Sequence, residues 1–341
     1  KKEIIAHVVN MLLMLEIVLW INTERQLILI LNGYILMALI AIVIGYYGFF
    51  FEQIPFEHIL RTLGPDAAVN ALYIIQDGDF FRFSGPFMDP NFFGIYLLSI
   101  LIFAIWLYIF RGRNKLHLIF AFLALVTLPL TLSRTSMIGF VCFFGVFIYW
   151  LRIRLRTLVL MASLLLCVLG FIAILISYPN LFDRLLDTES AFDRMHFISK
   201  GFEAFVAHPL LGSGPAGIID ADTGIATAHL MYLSILAKFG LVGAAAYFTF
   251  IFYPLIFVIF RKRRFLKEYR LLIIGLYVPL FFMYFMYDFM SFLEFQYLIF
   301  AVGYSVVFSP YAKKSICEER SLNSALPLIH DVGRIASAGM E

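Results

Sequence analysis

Long stretches almost free of charge constrain this sequence more than any other feature. About nine can be read along the chain, near residues 4–21, 27–51, 92–110, 116–132, 135–151, 157–177, 231–260, 271–287 and 292–309. Roughly 20 apolar residues are enough for a helix to cross the hydrocarbon core of a bilayer. Backbone groups in lipid must be hydrogen-bonded within the segment, and these stretches do not alternate in polarity as barrel strands do. The sequence therefore predicts an all-α, polytopic membrane helix bundle of about nine transmembrane helices.

The composition agrees with a membrane protein. Hydrophobic residues make up 62% of the chain and charged residues 14%, against roughly 45–50% and about 25% in soluble domains. Cys142 and Cys167 lie in apolar stretches and Cys317 lies near the C-terminus, so no structural disulfide is expected. The lipid bilayer is the expected environment, and no nucleic acid is expected as a partner.

The charges in the loops predict the orientation of the bundle. Three short loops, 111–115, 152–156 and 261–270, are rich in Lys and Arg, whereas acids outnumber bases in two long loops, 52–91 and 178–230. Because basic loops are retained in the cytoplasm, the two long loops are predicted to lie on the outer side.

The chain divides into two parts. Residues 1–310 form the predicted transmembrane bundle with its loops, and residues 311–341 form a polar tail that we expect to be cytoplasmic and flexible. The same orientation places Lys1 outside, and an odd number of preceding helices would bring the N-terminus to the cytoplasm.

The outer loop 178–230 is predicted to contain a helix at the membrane surface. Residues 190–193 resemble a capping box, and apolar residues then recur at helical spacing. Arg194 falls in the first turn of this helix, the His-Pro pair at His208 ends it, and His229 stands where the chain re-enters the membrane.

Two further segments place polar residues at the outer membrane boundary. Arg134 lies in a turn between two apolar stretches, where it either binds an anionic partner or bonds to lipid head groups and helix-end carbonyls. Arg82 begins a segment that leads to Asp89 and Asn91. The glycine and the two prolines of this segment make it rigid. Either Asp89 or Asn91 could cap the following helix, and capping alone would explain both.

Together these residues indicate a site for an anionic lipid. Arginine binds phosphate oxygens in a bidentate manner, so Arg82, Arg134 and Arg194 would suit a diphosphate at the level of the head groups. His229 could take a proton from a hydroxyl near neutral pH. Such a set would suit transfer of a sugar from a lipid diphosphate to a hydroxyl.

Other patterns are read as coincidental. The GxGxxG match at 212–217 follows no strand, and the DxD match at 220–222 lies on the outer side, away from nucleotide sugars. The histidines His196, His208 and His229 lack metal-ligand spacing. No cofactor and no metal site are therefore expected.

The sequence resembles the O-antigen polymerase and ligase family from about Phe83 to Gly243. Each matching segment is short, but their order and the long loop between them follow the family pattern. The four segments are 82–91 (RFSGPFMDPN), 132–136 (LSRTS), 193–214 (from DR to HPLLGSG) and 228–243 (from AHLMYL to FGLVG).

The resemblance implies a fold and a set of site residues. The family has about twelve helices with both ends in the cytoplasm, so three further helices would precede Lys1. The family's essential arginines and histidine correspond to Arg134, Arg194 and His229. Leu230 and Phe197 stand where the family commonly has Asn and Trp, and neither departure removes a charged group. The candidate substrate contacts are Arg82, Asp89, Asn91 and Ser133.

The resemblance also implies an activity. We expect a metal-independent glycosyltransferase of the bacterial inner membrane that uses undecaprenyl-diphosphate-linked oligosaccharide at the periplasmic face. A polysaccharide polymerase is favoured, because each polysaccharide needs its own. An O-antigen ligase that transfers glycan to lipid A–core or to protein is the alternative, and a transporter or flippase is the competing class. A chain-length regulator and a flippase are candidate partners.

Overall fold

The computed structural model describes residues 2–51, 74–77, 80–87, 89–150, 189–214, 230–261, 265–285 and 294–312. These residues contain nine helices and a two-stranded antiparallel hairpin. In chain order the elements are α1 (Lys2–Trp20), α2 (Glu24–Phe51), β1 (Ile74–Asp77), β2 (Phe80–Phe83), α3 (Pro90–Phe110), α4 (Lys115–Leu130), α5 (Arg134–Trp150), α6 (Glu189–Ala207), α7 (Met231–Phe260), α8 (Lys267–Met283) and α9 (Glu294–Phe308).

The predicted class, an all-α membrane helix bundle, is confirmed. Helices α1–α5 and α7–α9 coincide with predicted spans, and α8 begins and ends four residues earlier than its span. The predicted span 157–177 and most of the tail 311–341 lie outside the described residues. In α2, α3 and α7 the structure has helices long and apolar enough to cross a membrane. The hairpin, within the loop 52–91, was not predicted.

Helix α3 occupies the centre of the bundle. Nearly every residue from Pro90 to Leu107 is buried, whichever face of the helix it occupies. A helix that is apolar all round requires neighbours on all sides, and α2, α4, α5 and α8 supply them. The outer helices α1, α2 and α4 instead expose large apolar side chains, as expected of surfaces that contact lipid.

Arg111 joins three helices at one end of the bundle. It is the C-cap of α3 and forms ion pairs with Glu24, at the start of α2, and with Glu268, at the start of α8 (2.8 Å). Its guanidinium also lies 4.7 Å from the ring centroid of Trp106. We call this end of the bundle the Arg111 end.

The other termini of these helices lie at the opposite end of the bundle. The Tyr46 hydroxyl near the end of α2 lies 3.3 Å from the hydroxyl of Thr127 near the end of α4. The Met231 N–H, at the start of α7, donates to the Tyr284 carbonyl just after α8 (3.2 Å). We call this end, which also holds Ser133, the Ser133 end. It corresponds to the side predicted to be periplasmic.

Candidate functional site

The start of α3 is fixed by an aspartate cap. Asp89 has extended backbone geometry, and its carboxylate accepts a hydrogen bond from the Asn91 N–H (2.6 Å). Pro90 follows at the first helical position, where its missing N–H and fixed φ favour helix initiation. Capping, one of the two roles considered for Asp89 from the sequence, is therefore observed.

The start of α5 is capped by Ser133. Its hydroxyl accepts a hydrogen bond from the Ser136 N–H (3.1 Å), the usual geometry of a serine N-cap. The preceding Leu132 has a φ of 49°, which turns the chain sharply between α4 and α5. Arg134 is consequently the first residue of α5, and its side chain is exposed.

Asn91 and Ser133 join the two helix starts directly. The Ser133 hydroxyl donates to the side-chain oxygen of Asn91 (2.8 Å) and accepts from the Ser136 hydroxyl (2.8 Å). The helices approach closely here, since a Cβ atom on Gly94 would collide with the Ser136 hydroxyl. The first turns of α3 and α5 therefore lie side by side, with Asn91 and Ser133 buried or half-buried between them.

This pairing creates an end of the bundle that favours anions. The N-terminus of a helix carries a partial positive charge and presents backbone N–H groups. Two such termini meet where Asn91 and Ser133 are bonded. The Asp89 carboxylate offsets the positive end of α3, whereas Arg134 adds a full positive charge at the exposed start of α5. The arrangement can attract a phosphate group, and the arginine can bind it in a bidentate manner.

The hairpin brings Arg82 close to the start of α3 along the chain. Arg82 pairs with Ile75 in the β1–β2 register, and Phe83 after it is fully buried. The Phe83 ring packs between those of Tyr46 and Phe93, with centroids 5.0 and 5.6 Å away. Only the backbone of Arg82 is described, so its predicted phosphate contact stays a prediction.

The end of α8 connects the start of α7 to α5. Tyr284 accepts the Met231 N–H, and the neighbouring Met283 sulfur fills the space that a Cβ on Gly139, in the second turn of α5, would occupy. The start of α7 therefore lies at the same end of the bundle as Arg134. His229 lies outside the described residues, two positions before α7 begins.

The chain segment 209–214 docks on a break in α7. Gly240 has φ 65° and ψ −171°, which interrupts the helix, and a Cβ there would collide with the Leu210 carbonyl. A Cβ on Gly212 would likewise collide with the Lys238 carbonyl. Four backbone hydrogen bonds cross this contact: Leu241 N–H to Pro209 O (2.8 Å), Val242 N–H to Leu210 O (3.2 Å), Ser213 N–H to Ala237 O (2.8 Å) and Gly214 N–H to Lys238 O (3.0 Å).

This docking gives the first two glycines of the GxGxxG match a structural role, and the third lies outside the described residues. Gly212 and Gly214 have φ values of 75° and 78°, a region that disfavours other residues. They serve the contact with α7, and no dinucleotide is needed to explain them. The contact also fixes the chain just after α6 against the second and third turns of α7.

Helix α6 lies where the sequence predicted a helix in the loop 178–230, and its location on the membrane surface stays a prediction. Phe197 is buried, whereas Met195, Phe202 and Val206 are more than half exposed. Exposed apolar side chains on an amphipathic helix are expected where the helix lies on a membrane surface. Arg194 lies in the second turn of α6, and only its backbone is described.

The structure thus brings together four of the seven predicted site residues: Asp89, Asn91, Ser133 and Arg134. Convergence of Arg134 with Arg194 and His229 stays a prediction, because their side chains do not all lie in the described part of the chain. The contribution of Ser136 was missed, although the Ser-x-x-Ser spacing of a capped helix start was visible in the sequence. Within the described ranges, no group of three His, Cys, Asp or Glu residues could hold a metal ion.

Comparison with known protein families bears on this same region. Residues 119–248 match the family model described as O-antigen ligase. The resemblance predicted from the sequence is thereby confirmed, and the matched O-antigen ligase segment includes Arg134, Arg194 and His229. It runs from α4 to beyond the break in α7, so it covers the docked segment 209–214 as well. No significant match is found among curated proteins or solved structures.

The match supports an enzyme related to the O-antigen ligases. It agrees with the apolar helices of the bundle. The family match does not distinguish a ligase from a polymerase.

Proposed function

We propose that this protein is a polysaccharide polymerase of the bacterial inner membrane. It transfers a glycan from undecaprenyl diphosphate to a hydroxyl of another lipid-linked repeat unit, at the periplasmic face. The observation that carries the proposal is the O-antigen ligase match over 119–248, which includes the capped, anion-favouring start of α5 at Ser133 and Arg134.

The proposed role of the arginines follows from the charge on the leaving group. When the glycosidic bond to the lipid breaks, negative charge grows on the diphosphate, and preorganised cations stabilise that charge. Arg134 stands exposed beside the paired N-termini of α3 and α5, where a diphosphate at the level of the head groups meets favourable potential. Arg194, on the surface helix α6, would close over the same group.

His229 is proposed as the general base. The acceptor hydroxyl oxygen attacks the anomeric carbon of the donor sugar and forms the new C–O bond. The bond from that carbon to the diphosphate oxygen breaks, and the electron pair leaves with the undecaprenyl diphosphate. His229 takes the proton of the acceptor hydroxyl. Attack from the face opposite the leaving group inverts the configuration at the anomeric carbon.

The reaction is proposed to be metal-independent, because arginines supply the charge that a divalent ion supplies in other transferases. The donor and acceptor both carry polyprenyl tails that lie in the bilayer beside the exposed apolar helices. A flippase would deliver the repeat units, and a chain-length regulator would limit their number.

A ligase is the second candidate, because the matched family model is described as O-antigen ligase. The two reactions leave different products in a strain that lacks this protein. Loss of a polymerase leaves single repeat units attached to the surface acceptor. Loss of a ligase leaves complete chains on the lipid carrier. Gel analysis of surface glycan and of carrier-linked glycan from the deletion strain therefore decides between them, and stranded complete chains would contradict the polymerase.

A further inference from the structure

Lys238 is a charged residue in an otherwise uncharged membrane helix. Between Met231 and Phe260, α7 contains no other Asp, Glu, Lys or Arg. By helix geometry Lys238 lies about 10 Å from the start of α7, a helix long and apolar enough to cross a membrane. Ionisable residues retained at such positions face a polar cavity or an anionic partner more often than they face lipid.

The backbone at Lys238 is hydrogen-bonded to the docked segment 209–214 instead of to the next turn of its own helix. Its carbonyl accepts the Gly214 N–H (3.0 Å), and the preceding Ala237 carbonyl accepts both the Ser213 N–H (2.8 Å) and the Ser213 hydroxyl (2.9 Å). The break at Gly240 would otherwise leave carbonyls of this turn without helical partners. The docked segment 209–214 therefore satisfies this turn and fixes where the Lys238 side chain begins.

The ammonium of Lys238 is available to a ligand. The side chain is half-buried, and within the described residues its nitrogen makes no hydrogen bond or ion pair. Side chains on a helix lean towards its N-terminus, and a lysine extends its charged end towards the nearest polar boundary. For Lys238 both effects favour the start of α7, which lies at the Ser133 end beside Tyr284.

We propose that Lys238 is a further binding residue for the phosphate of the lipid-linked substrate, in addition to the arginines. This inference rests on the proposed function and extends it. A diphosphate at the Ser133 end meets Arg134 on one helix, and Lys238 approaches from α7. The segment 209–214 fixes the position of the Lys238 backbone through its hydrogen bonds. The residue contributes to substrate affinity, and its contribution is electrostatic rather than structural.

Binding of undecaprenyl diphosphate to the full-length protein in phosphatidylcholine nanodiscs tests this role. Lys238→Met is expected to weaken binding about tenfold, the size of one charge-assisted hydrogen bond. Lys238→Arg should restore most of the affinity, and uncharged undecaprenol should bind both variants equally. The matched control Lys115→Met removes an exposed lysine at the other end of the bundle and should leave binding unchanged.

Two further measurements keep the outcomes distinct. Adding phosphatidylglycerol should not abolish the difference between wild type and Lys238→Met; if it does, Lys238 binds bulk lipid head groups and the proposal fails. Thermal unfolding of the empty protein shows whether Lys238→Met folds, and Lys238→Gln serves if it does not. Equal affinity of the folded variants and wild type for the diphosphate would overturn the role of Lys238. Failure of wild type to bind the diphosphate would instead overturn the proposed function itself.

Discussion

The Ser133 hydroxyl donates a hydrogen bond of 2.8 Å to the side-chain oxygen of Asn91, across 42 residues of sequence. The bond joins the first turn of α3 to the cap of α5, so the N-termini of these two helices lie side by side. Arg134 follows Ser133 directly, and its position relative to α3 therefore depends on this bond. The anionic-lipid site proposed above is centred on that arrangement.

Replacing Arg134 tests whether its charge acts on the substrate. Arg134→Ala should lower glycan transfer on the order of 100-fold, because a cation beside the leaving diphosphate is lost. Lys115→Ala is a closely matched control: Lys115 is also an exposed basic residue in the first position of a helix, but at the Arg111 end. Rates of polymer formation in membranes with equal protein content provide the measurement. Similar rates for the two variants would show that Arg134 has no special role.

Removing the Ser133 hydroxyl should affect stability as well as activity. Ser133→Ala loses the α5 cap and the bond to Asn91, and we expect a loss of about 1–2 kcal/mol in the free energy of unfolding. Ser133→Thr keeps a hydroxyl and should lose less. Thermal unfolding in detergent, followed by circular dichroism, compares the two. An alanine variant as stable as wild type would mean that the α5 cap and the bond to Asn91 do not contribute to folding stability.

The break in α7 predicts a strong contrast between two glycines. Gly240→Ala places a Cβ against the Leu210 carbonyl at a positive φ, and should cost at least about 2 kcal/mol while releasing the segment 209–214. Gly33 in α2 has open space around it, so Gly33→Ala should be neutral or slightly stabilising. Limited proteolysis near residue 214 reports the release. Equal protease resistance of the Gly240 variant and wild type would argue against the docking.

Two histidines should differ in their effect on activity. His229→Ala is expected to reduce transfer by roughly 100-fold or more, as for the loss of a general base. His208→Ala should be mild, because His208 is exposed at the end of α6 and its backbone N–H already bonds to that helix. Polymer length distributions from strains that carry each variant provide the comparison. Normal long chains with His229→Ala would exclude His229 as the base.

Hydrophobicity and local caps allowed much of the fold to be predicted. Apolar stretches predicted the helices, and Asp89 was one of two residues, with Asn91, expected to cap α3, because both features act within one or two turns of chain. The bond between Asn91 and Ser133 was not predictable in this way, since it depends on which helices become neighbours. The break at Gly240 was hidden for a related reason. The apolar stretch continues through it, and the hydrogen bonds that make it favourable come from the distant segment 209–214.

The site was predictable in part for the same reasons. Charged residues at the outer boundary of apolar stretches marked Arg134, whose position at the start of α5 the structure describes. Lys238 was not predicted because it lies inside an apolar stretch, in the part of segment 228–243 between the two motifs that carried the resemblance. Its backbone contacts become visible only when α7 and the segment 209–214 are seen together.

The central claim is that this protein transfers glycan from a polyprenyl diphosphate without a metal ion. It is tested most directly with the purified protein in nanodiscs, supplied with lipid-linked repeat units in buffer that contains EDTA. The products are separated to measure free undecaprenyl diphosphate and glycan length. The account predicts one undecaprenyl diphosphate released for each repeat unit added, at a rate that EDTA does not change and that Arg134→Ala nearly abolishes. Absence of both products, or activity that EDTA removes and only a divalent ion restores, would contradict it.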